Sequence, residues 1–141
     1  MANYYASARS NYFAVKSEDD FKAFCERWNL EYISRKNHDD RILHGFLVTE
    51  GDGNLPIYLE VTNDDGTKEE IGFDQFVDEL AEMLPDDEVA IIMEVGNEKL
   101  RYLAGFAMAI NSKKKHIMVD LNTIYDLVEV ATSKAVTRCE Y

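Results

Sequence analysis

Only two of the 141 residues are cysteine, Cys25 and Cys139, so no disulfide framework holds the chain and its stability has to come from packing. No apolar stretch approaches the roughly 18 residues that a membrane-spanning helix needs, and Met1-Ala2-Asn3-Tyr4-Tyr5 is not a basic start leading into an apolar run. These absences predict a soluble, cytoplasmic protein with no membrane contact. The three histidines, His38, His44 and His116, are scattered, with no H-E-x-x-H and no cysteine pair at zinc spacing. No G-x-S-x-G, P-loop or dinucleotide fingerprint occurs, and no cofactor is expected. Asn63-Asp64-Asp65-Gly66-Thr67-Lys68-Glu69-Glu70 lacks the alternating ligands and final glutamate of a calcium loop, and Lys68 interrupts it. A Cys25 nucleophile paired with His44 is disfavoured, because Phe21 and Trp28 mark that helix face as buried, where a thiolate is costly. The chain is expected not to be an enzyme.

Cations are nearly missing from the middle of the chain. Residues 50 to 98 hold sixteen carboxylates and one cation, Lys68, a formal charge of −15, whereas residues 1 to 49 are balanced and residues 99 to 141 carry +3. Solubility alone is met by mixed signs and a modest net charge, so a segregated excess points to a partner of opposite sign. The same charge repels duplex DNA and anionic lipid, so direct nucleic-acid binding is not expected.

What is present suffices for a folded domain: 46% apolar and 11% aromatic residues, with the acids interleaved among Phe73, Phe76, Leu80 and Leu84. Ser17-Glu18-Asp19-Asp20 has capping-box character and opens a helix whose Phe21, Phe24, Cys25 and Trp28 recur at helical spacing until Asn29. A second helix is predicted from about Phe73 to Leu84, closed by Pro85, and a third from Asn122 or Thr123, burying Ile124, Leu127, Val128 and Ala131. Strands are predicted at Asn11 to Val15, Glu31 to Arg35, Arg41 to Val48, Pro56 to Val61, Val89 to Val95, Tyr102 to Ile110 and His116 to Asp120. Gly51-Asp52-Gly53-Asn54, Asp64-Asp65-Gly66 and Gly96-Asn97 supply turn chemistry between them. Gly45 and Gly105, inside strand patterns, mark bulges or close packing. Tyr4, Tyr5, Tyr12 and Phe13 around Arg9 read as an edge strand packing its aromatics inward, or as a stacking patch for a partner. Lys113-Lys114-Lys115 reads as a solvated turn.

The chain fits one domain over residues 1–141. Slid by 60 residues, Arg41-Ile42-Leu43-His44-Gly45-Phe46 meets Arg101-Tyr102-Leu103-Ala104-Gly105-Phe106, sharing R-x-L-x-G-F. The echo suggests duplicated helix-plus-three-strand units at about 17–61 and 73–121. With or without it, short turns between consecutive strands predict an α+β domain with a largely antiparallel sheet and three helices.

The acids form the candidate site. On the second helix Asp74, Asp78 and Glu82 stand four residues apart opposite the apolar stripe, with Glu79 beside them. Like charges at that spacing destabilise a helix by about 0.2–0.5 kcal/mol per pair. Four carboxylates on about 18 Å of helix place one charge about every 4.5 Å, against about 3.4 Å along a nucleic-acid strand. Asp64, Asp65, Glu69 and Glu70 before the helix, and Asp86, Asp87 and Glu88 after it, extend this field if the loops fold onto that side. A charged helix face is also what simple solvation produces, and that reading stands beside the other.

The opening Asn3-Tyr4-Tyr5-Ala6-Ser7-Ala8-Arg9-Ser10-Asn11-Tyr12-Phe13, with Glu98-Lys99-Leu100-Arg101-Tyr102, resembles small proteins carried by phages and conjugative elements. In size and acidity the chain is similar in type to anti-CRISPR and anti-restriction inhibitors, many of which imitate the charge of DNA. The resemblance implies a non-enzymatic inhibitor whose partner is a basic nucleic-acid-binding protein, a defence nuclease or CRISPR effector. An acidic immunity protein that neutralises a basic toxin is the alternative.

Overall fold

The structure, a computed structural model, describes residues 4–49, 51–55, 58–98 and 102–139. Its elements are β1 (Tyr4–Ser10), α1 (Glu18–Arg27), β2 (Glu31–Lys36), β3 (Ile42–Leu47), β4 (Tyr58–Thr62), β5 (Lys68–Gly72), α2 (Phe73–Met83), β6 (Val89–Glu98), β7 (Tyr102–Asn111), β8 (His116–Asp120) and α3 (Thr123–Thr132). Six strands form an antiparallel sheet in the order β2-β3-β1-β6-β7-β8, and β4 and β5 form a separate antiparallel ribbon. The fold is α+β, as the pattern of elements predicts.

Ser17 caps α1: its side chain accepts from the Asp20 N–H at 3.2 Å, and Glu18, Asp19 and Asp20 complement the positive end of the helix. Asn29, in the left-handed region at φ 57°, turns the chain out of the helix into β2. α1 and α2 lie on one face of the sheet. Alternation along β6 shows which face: Ala90, Ile92 and Glu94 are buried, whereas Val89, Met93 and Val95 are exposed. The register brings Ala8, Ser10, Met108 and Ile110 to the same covered side. Phe13, Phe21, Phe24, Trp28, Phe46 and Phe76 form its aromatic centre.

Several expectations are corrected by pairing that no local pattern contains. The first strand is Tyr4–Ser10, not Asn11 to Val15, and it runs between β3 and β6 rather than along an edge. Residues 11–15 make a single bridge, Phe13 to His44. β3 pairs in register with β1 at Arg9 and Leu47, and the Val48 N–H donates to the Ala8 carbonyl at 3.1 Å; farther along, the Asp52 carbonyl takes the Ala6 N–H at 2.8 Å in its place. Gly96-Asn97 is no turn but lies inside β6, where the Tyr4 ring packs so closely over Gly96 that a Cβ has no room. Pro56, Ile57 and Arg101 lie outside the described residues. β5 has no strand pattern of its own, since Lys68-Glu69-Glu70-Ile71-Gly72 holds one large apolar residue; pairing with β4 makes it a strand. α3 forms where expected but contributes no buried residue, with Ile124 and Leu127 more than half exposed. The two halves share a helix followed by a hairpin, α1-β2-β3 and α2-β6-β7, and then part: β8 stays beside β7, while β4 leaves the sheet for β5.

Several buried polar groups are satisfied by specific partners, whereas the buried Glu79 Oε2 has no hydrogen-bond partner among the described residues. The Ser10 hydroxyl donates to the Asn11 carbonyl at 2.8 Å and accepts from the Phe46 N–H at 2.9 Å. A Cβ on Gly45 falls 2.6 Å from the Asn11 oxygen, so close packing explains that glycine. The Glu94 carboxylate accepts from the Leu55 N–H at 2.6 Å and the Tyr4 hydroxyl at 3.3 Å, which pins the loop before β4 to the sheet. His44 Nδ1 lies 2.6 Å from the Tyr32 hydroxyl. Burial lowers the His44 pKa below its ordinary 6.5, and the Glu18 charge opposes this without overcoming it. The unfolded chain therefore binds the proton more readily. The associated stability is complete above the unfolded value and is lost as pH falls through the depressed folded value. Urea midpoints are expected to fall between about pH 7 and pH 5, and His44→Gln to flatten that slope. An unchanged slope in the variant would assign the effect to other groups.

Candidate acidic interface

α2 is an apolar stripe with an acidic back. Phe76, Val77, Leu80 and Ala81 are buried, and at about 100° per residue Asp78 and Glu82 fall on the opposite side, while Asp74, about 20° around the helix from Ala81, borders the stripe in the first turn. Asp74 and Glu82 are exposed and Asp78 is half-buried. Glu79 does not join them. It borders the stripe and turns toward α1, where Oε1 lies 3.3 Å from Arg27 Nε and accepts from Trp28 Nε1 at 3.4 Å. Three outward carboxylates spaced four residues apart leave about 6 Å between charges along the helix, wider than the 4.5 Å expected with Glu79 included.

The acids flanking α2 divide in the same way. Asp64 and Asp65 form the tip of the β4–β5 ribbon. Asp65 Oδ1 accepts from the Thr67 N–H at 2.9 Å and the Thr67 hydroxyl at 2.6 Å, bonds that hold its carboxyl below the usual range. Glu69 and Glu70 are exposed on opposite faces of the ribbon, opposite Val61 and Glu60. Like charges at Glu60 and Glu70 are eased by Lys68, whose Nζ is 3.3 Å from Glu60 Oε1, so the one cation of residues 50 to 98 is engaged locally. After α2, Asp86 and Asp87 are exposed, Asp87 with φ 66° in the turn. Glu88 turns inward, accepting from the Ala14 N–H at 3.0 Å and its neighbour Val89 at 3.2 Å. Glu50 lies outside the described residues.

Thus Asp64, Glu69, Glu70, Asp74, Asp78, Glu82, Asp86 and Asp87 keep carboxylates at the surface, and Glu79, Glu88 and Glu94 are absorbed by the fold. Sequence spacing does not single out Glu79, because Asp74 sits nearer the apolar stripe, about 20° from Ala81, and the groups that engage Glu79 come from α1. Spacing could not foresee Lys114, brought by the β7–β8 turn to 3.4 Å from Glu82. Both groups are well exposed, and such a pair contributes about 0–1 kcal/mol.

Cys25 is buried on α1, and burial pushes its thiol up to about 12, leaving it protonated at neutral pH. Among the described residues, no group of three or more His, Cys, Asp or Glu side chains is placed to hold a metal ion. No described helix is long and apolar enough to cross a membrane. No protein-family model matches the chain, and neither do any curated proteins or solved structures.

Proposed function

We propose that this α+β protein is a non-enzymatic inhibitor that binds the basic nucleic-acid channel of a defence nuclease or CRISPR effector. The observation that carries this reading is the exposed acid on α2 and its two flanking turns, where Lys114 beside Glu82 is the one cation paired with an outward carboxylate among the described residues. Such a surface competes for a basic groove because it replaces the phosphates held there, and its binding is electrostatic and weakens with salt.

Competition tests the proposal. The protein is expected to displace duplex DNA from several basic DNA-binding enzymes at about 50 mM salt and to lose at least roughly tenfold in affinity by about 200 mM. Action on one toxin alone would select the immunity reading. Failure to displace DNA from any of them, at either salt, would remove the reading as a mimic of nucleic-acid charge.

A further inference from the structure

The face of the sheet opposite α1 and α2 is uncovered. Register and alternation place three rows across its β6–β7–β8 half: Ile91-Ala109-Ile117, Met93-Ala107-Val119 and Val95-Gly105-Leu121. Small residues on β7 lie between larger ones on β6 and β8, so the surface is a trough with apolar walls. Leu121 leans over Gly105, within 3.3 Å of where a Cβ would stand. Met93, Val95, Ile117, Val119 and Leu121 are each at least half exposed. Soluble monomers rarely leave contiguous apolar patches beyond a few hundred Å².

The same chain carries an apolar element that no described residue buries. Ile124, Leu127 and Val130 of α3 are 55%, 58% and 85% exposed. We infer that a second copy of this chain covers the open face, the α3 of each copy lying in the β6–β8 trough of the other. Two observations choose this occupant. Five apolar side chains of the trough and three of α3 are each at least half exposed, a surface of the order of the roughly 800 Å² that each partner of a stable pair contributes. Charge then permits it. Two chains of net charge −12 repel, but the trough rows contain no charged residue, and the carboxylates of α2 lie on the covered side of the sheet. Joining at the open face keeps the two acidic helices apart and draws the apolar surfaces together. This inference does not rest on the proposed inhibitory role.

Sedimentation velocity at roughly 1 to 100 μM decides it. The wild type is expected to sediment with the mass of two copies. Ile117→Glu with Val119→Glu, in the trough, and separately Leu127→Glu, on α3, are each expected to weaken association by more than about 100-fold, because a carboxylate would be buried unpaired. These positions are exposed within one chain, so far-UV circular dichroism and the urea midpoint of the monomer report whether the variants still fold. A wild type that stays monomeric at the highest concentration overturns the inference. A ladder of larger aggregates, or a two-copy species that either folded variant leaves intact, also overturns it.

Discussion

Phe76→Ala is expected to destabilise the protein by about 3–5 kcal/mol, a large share of the roughly 5–15 kcal/mol that holds a domain together. Phe76 is fully buried and is the residue through which the two helices and the sheet meet. Its ring lies 5.2 Å from Trp28 and 5.4 Å from Phe24 on α1, 6.1 Å from Phe46 on β3 and 5.5 Å from Phe73 on its own helix. Truncation removes the transfer energy of the ring and leaves a cavity that four aromatic neighbours cannot jointly fill. Phe76→Leu keeps most of the volume and is expected to cost less than half as much. Urea unfolding followed by tryptophan fluorescence measures both, since Trp28 is the only tryptophan and packs edge-on against this ring. A loss below about 1 kcal/mol for the alanine variant would mean that the helices are not held at this point.

The second large effect concerns binding rather than folding. Reversal of Asp74, Asp78 and Glu82 to Lys is expected to abolish inhibition of a basic nucleic-acid enzyme while the fold persists. At about 1 kcal/mol per reversed surface charge, three changes reduce affinity by on the order of 100-fold, more if the contacts are desolvated. The fold tolerates the change because Asp74 and Glu82 are exposed, Asp78 is half-buried and none of the three belongs to the core. Asp74 complements the helix N-terminus and Glu82 pairs with Lys114, so the Lys variant also carries a cost of about 1 kcal/mol. Asp74→Asn, Asp78→Asn and Glu82→Gln together lose the same two contacts but place no cation against the helix N-terminus or Lys114, and they relieve the like-charge spacing, so weakened inhibition in this neutral variant separates charge from stability. Glu79 serves as the contrast: Glu79→Gln is expected to disturb the α1–α2 contact with Arg27 and Trp28, not binding. Full inhibition by a folded triple-Lys variant would sink the proposed acidic interface.

Helices were easier to read than strands for physical reasons. α1 and α2 announce themselves through local chemistry: a serine cap at Ser17, a proline after Leu84 and apolar residues at a helical period. β1 and β5 owe their existence to partners far along the chain. Tyr4–Ser10 is ordered by pairing with Met93, Val95 and their neighbours on β6, and Lys68–Gly72 by pairing with β4. The candidate acids divide for the same reason. Spacing alone marked Asp74, Asp78 and Glu82 as outward, but Glu88 is taken by the Ala14 N–H, contributed from 74 residues away.

The sequence by itself determined two amphipathic helices, short antiparallel pairings and a negative charge concentrated between residues 50 and 98, because each follows from residue order within a few turns of chain. Tertiary structure alone decided which carboxylates stay in water and which sheet face is covered. Periodicity reports the side of an element that is apolar, as it does for Ile124 and Leu127 on α3, but not whether anything arrives to cover it. That depends on where distant elements can reach. α1 and α2 both pack against one face of the six-stranded sheet, and the other face is left with its apolar rows in solvent.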